Sequence, residues 1–241
     1  MGYREIAPPA DLGSFVETAW MADGGGEPVR VLPDGCMDLI RMDGEVIVAG
    51  PDTRALITAH GRRPAAGLRF RPGALPRLLG VPAAELVGER IALDALCTVN
   101  SRAPLEVIAA ELASRPWRRE TSPWSPQTLE SLTAALAVGT PVGQLARETG
   151  WSSRTLQRQC RAVYGYGPTT LRRILRFRRA VSRIRAGQSL ADVAVATGYA
   201  DQSHLHREVR EFAGVTASAL TAYVDGANRS TEVPSGSSTV A

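Results

Sequence analysis

Leu145-Ala146-Arg147-Glu148-Thr149-Gly150-Trp151 recurs as Val193-Ala194-Val195-Ala196-Thr197-Gly198-Tyr199, 48 residues further along the chain. Each copy runs into a second matching segment. Leu156, Cys160, Val163 and Gly165 in the first correspond to Leu205, Val209, Phe212 and Gly214 in the second, at an offset of 49. Each unit therefore reads as helix, glycine-containing turn, helix. That is the outline of a helix-turn-helix, whose second helix enters the major groove of DNA. Two in tandem predict a chain that reads two successive stretches of groove.

The flanking residues set the helix limits. Ser152 is the expected cap of a helix running to about Tyr164, and Asp201 of one running to Ala213. Ser189 caps a helix ending at Thr197, and Thr140 is read as capping a helix over 141–149. In the helix after Ser152, Leu156, Cys160 and Val163 recur at helical spacing and point inward. Arg154, Gln157, Arg158 and Arg161 occupy another face. In the second unit Leu205, Val209 and Phe212 pack inward, and Gln202, Ser203, His206, Arg207 and Arg210 face out. Arginine forks onto guanine and glutamine pairs with adenine, so these are suitable base readers. Arg161 and Arg210, far from the helix N-termini, are read as phosphate ligands or salt-bridge partners rather than base readers. The alternative, that these are ordinary solvated helix faces, weakens when two copies fall in register.

A long helix opens at Pro168, where proline is tolerated, and runs to about Ala186. Nineteen residues rise about 28 Å, against about 34 Å for one turn of DNA. Leu171, Ile174, Phe177, Val181 and Ile184 form its buried stripe. Arg172, Arg173, Arg176, Arg179 and Arg183 lie outside it, free for phosphate or for surface pairing. Val215 to Tyr223 reads as a closing helix, and residues 225–241, rich in Ser, Gly and Thr, as a disordered tail.

Charge separates the halves. The chain of 241 residues has net charge +4, and all 28 basic residues are arginine. Residues 1–139 carry net −3, residues 140–224 net +8 and residues 225–241 net −1. Only the C-terminal module is suited to a polyanion. With 44% hydrophobic and 22% charged residues, the composition is that of a soluble globular protein. No apolar run reaches the roughly 18 residues of a membrane span, so no membrane partner is expected. The N-terminus has no signal-peptide core. Cys36, Cys97 and Cys160 are scattered, with neither metal-ligand spacing nor an even disulfide set. A cytoplasmic, nucleoid-associated protein without metal or cofactor is expected.

Residues 1–113 read as β-rich with short helices. Asp43-Gly44 between Met37–Met42 and Glu45–Val48 signals a two-residue hairpin. Gly67 to Arg71 is a further strand, stopped by Pro72-Gly73. Short helices are expected at 74–79 and 83–87, a longer one at 103–113, and a loop at Gly24-Gly25-Gly26. Residues 114–126, with three prolines and two tryptophans, read as an interdomain linker. The DNA-binding domain then spans 127–224, beginning with a helix over 127–138. The fold class is α+β, a β-rich domain followed by an all-α tandem helix-turn-helix domain.

Candidate chemistry in the N-terminal half is sparse. Cys36, Asp38 and His60 form no metal motif; Cys36 reads as a buried small hydrophobe and His60 as a loop residue. Asp34-Gly35 reads as a turn. Arg69 and Arg71 flank Phe70 and share one strand face, solvated or open to an anion.

These residues carry a resemblance. Leu145-Ala146, Gly150-Trp151-Ser152, Leu156-Gln157-Arg158, Gly165-Tyr166-Gly167-Pro168, Ala194, Gly198 to Arg207 and Gly214-Val215-Thr216 resemble the DNA-binding module of the AraC/XylS family of bacterial transcription regulators. The resemblance implies seven helices in two helix-turn-helix units joined by a long helix. It places Ser153, Arg154, Gln157 and Arg158 on the first groove segment, and Gln202, Ser203, His206 and Arg207 on the second. Cys160 and Val209 stand where the family usually has Phe, Gly167 where it has Ser, and Ala217 where it has Pro. Leu32 to Ile40, Phe70 to Gly73 and Leu79 to Pro82 are similar to an uncharacterised domain found upstream of such modules. In the wider family that place is held by a cupin-type barrel that senses a ligand or dimerises.

The expectation is a sequence-specific, non-enzymatic transcription regulator. Its partner is double-stranded promoter DNA, with RNA polymerase, a small-molecule effector and a second copy open as further partners. The alternative is an architectural DNA binder without ligand response, whose affinity would be salt-dependent and sequence-blind. An alkyl-transfer repair enzyme with such a module needs a cysteine-rich zinc domain, which Cys36 and Cys97 alone do not supply.

Overall fold

The computed structural model describes residues 3–24, 29–58, 63–222 and 232–233. His60, Gly25 and Gly26, Tyr223, and the tail at 225–231 and 234–241 lie outside the described residues.

The N-terminal half contains strands β1 (Tyr3–Ile6), β2 (Val16–Ala22), β3 (Val29–Val31), β4 (Met37–Met42), β5 (Glu45–Ala49), β6 (Leu56–Thr58), β7 (Ala65–Phe70) and β8 (Arg90–Ala92). Six form one antiparallel sheet in the order β1-β2-β7-β4-β5-β8. The β4–β5 hairpin turns at Asp43 and Gly44, both at positive φ (53° and 84°). That left-handed pair suits the right-handed twist of the strands it joins. β1 and β8 are the edges, so among the described residues the sheet is open and does not close into the cupin-type barrel of the wider family. Short helices close one face instead: α1 (Ala74–Leu79), α2 (Leu93–Leu96) and α3 (Leu105–Ala113). Leu75, Leu78, Ile108 and Leu112 meet Val16, Leu39, Leu68 and Phe70 in one core. Residues 83–85 form a single tight turn of helix where a longer helix was expected.

The C-terminal half is helical: α4 (Pro126–Ala137), α5 (Val142–Thr149), α6 (Ser153–Tyr164), α7 (Pro168–Arg185), α8 (Leu190–Thr197), α9 (Gln202–Ala213) and α10 (Ala217–Ala222). Its core gathers around α7, whose Leu171, Ile174, Phe177, Ala180 and Ile184 are fully enclosed. Residues 114–126 connect the halves as a packed segment. Trp124 is buried in the helical core, stacked on Trp151 at 5.5 Å, and donates from Nε1 to Gln159. In the expected disordered tail, Glu232–Val233 forms β9, parallel to β3, whose other neighbour is β6.

The halves are joined by specific contacts. Arg178 of α7 pairs with Glu17 of β2, and the Cys36 thiol donates to the same carboxylate at 3.3 Å. Burial raises the Glu17 pKa, but the Arg178 charge and hydrogen bond outweigh it and hold the carboxyl below its ordinary value. Arg30 of β3 donates to the Ala213 carbonyl, and the Ala55 amide to that of Phe212.

Arg69 is not on a solvated strand face. It is 1% exposed, with Glu5 at 3.0 Å, Asp38 at 3.5 Å and Asp34 at 3.8 Å. Arg71 lies beyond the strand and donates to the Gly13 carbonyl, so the two arginines share no face. Asp34 also accepts from the Cys36 amide, closing the turn at Gly35 (φ 86°). Burial, reinforced by Asp34, pushes Asp38 up to about 6. Its contribution to stability is therefore complete below the unfolded value of 3.8 and is lost as pH rises through about 6. Asp38→Asn should remove that slope. Thermal melts at acid and neutral pH should show the variant gaining on the parent chain as pH rises; a constant difference would show that Asp38 carries no such slope.

Candidate nucleic-acid interface

The two helix-turn-helix units are built alike. α5 ends at Gly150 (φ 69°) and α8 at Gly198 (φ 80°), both left-handed. In each, the glycine amide bonds back to the third carbonyl before it, and the following aromatic amide to the fourth before the glycine. The pairs are Gly150 to Arg147 with Trp151 to Ala146, and Gly198 to Val195 with Tyr199 to Ala194. This paired closure is why both copies carry glycine followed by an aromatic. Ser152 then caps α6 by accepting from the Thr155 amide at 3.1 Å, and Asp201 caps α9 by accepting from His204 at 2.6 Å. The predicted cap at Thr140 is absent. Pro141 holds the N-cap position of α5 with no side-chain hydrogen bond, because the helix begins one residue later than read.

Leu156, Cys160 and Val163 on α6, and Leu205, Val209 and Phe212 on α9, are buried as their spacing requires. Opposite them, Ser153, Arg154, Arg158 and Arg161 are exposed on α6, and Gln202, Ser203, Arg207 and Arg210 on α9. His206 is half-buried and lies 3.2 Å from the Gln202 amide nitrogen. Gln157 is also half-buried. Its amide lies against Gly167, where a Cβ would strike it. The glycine at 167 thus leaves room for the Gln157 amide.

The arginines of α7 are placed differently. Arg173 donates to Glu208 and Glu211, Arg176 grips Glu208 through two nitrogens, and Arg179 donates to the Ala137 and Ala196 carbonyls. Arg176 also lies over the Tyr199 ring, 4.3 Å from its centroid. Glu208, only 2% exposed, is the buried anchor. By contrast, Arg154, Arg158, Arg161, Arg207 and Arg210 have no ion-pair partner among the described residues. Sequence spacing did not separate these classes, since Glu208 sits among the outward residues of α9 in a linear reading. Exposed Arg147 on α5 is a further basic residue of this half that the site reading omitted.

No helix of the described residues is long and apolar enough to cross a membrane, and no cluster of three potential metal ligands occurs among them.

A helix-turn-helix protein of the DNA-binding kind is defined by this arrangement. Residues 145–222 match the model of a helix-turn-helix domain, and residues 4–92 that of a domain of unknown function. The C-terminal domain is of the AraC type, the module of DNA-binding transcription regulators in that family. No curated protein matches the chain significantly. Among solved structures, ToxT from Vibrio cholerae O395 is similar at 10% identity and TM-score 0.45, over 89% of this chain and 99% of that one. A second ToxT crystal form from Vibrio cholerae gives 10% identity and TM-score 0.42, over 91% and 98%.

Ser152→Ala and Asp201→Ala should each cost about 1 kcal/mol, the usual worth of an N-cap. Glu208→Ala, which takes the buried carboxylate from Arg176 and leaves Arg173 only Glu211, should cost about 2 kcal/mol, whereas Glu211→Ala at the exposed rim should cost under about 1 kcal/mol. Urea denaturation of the four variants checks this order.

Proposed function

We propose that the protein is a sequence-specific transcription regulator whose α6 and α9 read two successive major-groove segments. The observation that carries this reading is the division among its arginines. Arg173, Arg176, Arg178 and Arg179 of α7 are committed to carboxylates and carbonyls, while Arg154, Arg158, Arg161, Arg207 and Arg210 of α6 and α9 face outward with no ion-pair partner among the described residues. Unpaired cations at corresponding positions of two repeats are costly to fold stability through self-repulsion and are well used against a polyanion. Arg158 corresponds to Arg207, and Arg161 to Arg210.

On this reading Ser153, Arg154, Gln157 and Arg158 contact bases of one segment, and Gln202, Ser203, His206 and Arg207 those of the other. Arg161 and Arg210, towards the helix C-termini, hold phosphate. α7, at 18 residues, is about 27 Å long. That rigid length suits two contact blocks on one face of DNA, about one turn of about 34 Å apart. Specific base contacts distinguish this protein from an architectural binder. The N-terminal domain serves as the effector-responsive or dimerising half, and the protein works in the cytoplasm at the nucleoid.

Selection of bound sequences from a random DNA library by the full chain should enrich a site with two contact blocks. Arg158→Ala and Arg207→Ala should each weaken binding by about 1–3 kcal/mol and relax preference within one block only. Arg161→Ala and Arg210→Ala should weaken all sequences alike and lower the salt dependence. No enrichment, with affinity governed by salt alone, would replace this reading with the architectural one.

A further inference from the structure

The two helix-turn-helix units are repeats, so a departure of one from the other isolates what differs between them. At an offset of 49, Gly167 corresponds to Thr216 and Gln157 to His206. Thr216 caps α10, its Oγ1 accepting from the Ala219 amide at 3.1 Å. Gly167 holds the same place before α7 and gives that helix no side-chain cap. Its backbone does not call for glycine, since φ −72° and ψ 164° are ordinary extended values. Glycine at 167 therefore answers a need for space.

The Gln157 head fills that space. A Cβ at 167 would fall within 2.7 Å of its Nε2, Oε1 and Cδ, well inside the roughly 3.5–4.0 Å of an ordinary contact. Any side chain at 167 must displace the carboxamide. Gln157 stands one turn from Arg154 and from Arg161 on α6, at i−3 and i+4, so it borders the exposed arginine face. Its head, half-buried, lies instead at the start of α7. The other glutamine of α6 is used differently, Gln159 accepting from Trp124 Nε1 at 3.1 Å. In the second unit His206 lies against Gln202 within its own helix.

We propose that Gly167 is a positioning residue for base reading: by admitting the Gln157 carboxamide beside α7, it sets how that group is presented to a base of the first groove segment. The arrangement gives up a cap on α7 and gains a seated carboxamide. α7 tolerates this because eight of its side chains are buried, and because glycine at an N-cap is only slightly worse than serine or threonine. A carboxamide carries a donor and an acceptor side by side, the pair that adenine answers, so a displaced head changes which base pair fits. The effect on bases rests on the regulator reading above; the seating of the carboxamide does not.

The test selects sites from a random DNA library with four full-length chains: the parent, Gly167→Ala, Gln157→Ala and the double variant. Gln157→Ala should relax preference at one base pair of the first block by about fivefold or more. Gly167→Ala should change preference at that same base pair and leave the second block untouched. The double variant should select the same site as Gln157→Ala, because without the carboxamide the methyl group at 167 has nothing to displace. Alanine suits the backbone at 167, so Gly167→Ala should melt at or above the parent temperature. If it fails to fold, Gly167→Ser decides, since serine there can cap α7 on the Thr170 amide as Thr216 caps α10. The side-chain amide resonances of Gln157, assigned by their loss in Gln157→Ala, should shift in Gly167→Ala while those of Gln202 stay in place. An unchanged site in the folded variant, an equal change with and without Gln157, or unmoved Gln157 resonances would overturn the proposal. A parent chain that selects no site would remove the regulator reading and the base-reading role with it; the resonances alone would then decide the seating.

Discussion

The burial of one face of α7 is the constraint on which the rest of the molecule depends. Eight side chains, from Pro168 to Ile184, are removed from water along a single helix. Each large one contributes about 1.5–3 kcal/mol. α4, α8, α9 and α10 all pack on this helix, so neither helix-turn-helix unit has a core independent of it. The flanks of the same helix are lined with arginine, whose long apolar stems extend the packed surface while the heads reach outward. Arg173 and Arg176 fix α9 through Glu208, Arg179 reaches the final carbonyls of α4 and α8, and Arg178 crosses to the sheet domain. One helix thus sets the position of both reading surfaces and of the N-terminal half.

The N-terminal domain meets the two units at equivalent places. Gly165, closing α6, lies so near Val87 and Pro51 that a Cβ would come within 2.8 Å of both. Its counterpart Gly214, closing α9, lies beside Arg30, whose head takes the Ala213 carbonyl. Both glycines are left-handed, at φ 86° and 69°. The sheet domain therefore holds the C-terminal end of each candidate reading helix and leaves its N-terminal residues exposed.

What was legible in the sequence was local. The N-caps at Ser152, Ser189 and Asp201, the glycine closures, the Asp43-Gly44 turn and the buried stripe of α7 depend on residues a few positions apart, so spacing reveals them. What was not legible depends on distant partners. Arg69 looks like half of a solvated pair until Glu5, Asp34 and Asp38 are brought around it. Trp124 stands in a proline-rich stretch that resembles a linker, and only the docking of Trp151 and Tyr164 makes it core. The open sheet could not be told from a barrel because alternation records which side of a strand is buried, not whether its edges meet.

The absence of lysine has a consequence for how the joints of this molecule come apart. Guanidinium keeps its proton across the whole range in which proteins stay folded, so alkali has no purchase on the junction between Arg178 and Glu17. Only the carboxylate can be discharged, and Arg178 itself delays that by lowering the Glu17 pKa. That ion pair is therefore a one-way titration, secure towards base and weakened only by acid strong enough to protonate a carboxyl already held in its charged form.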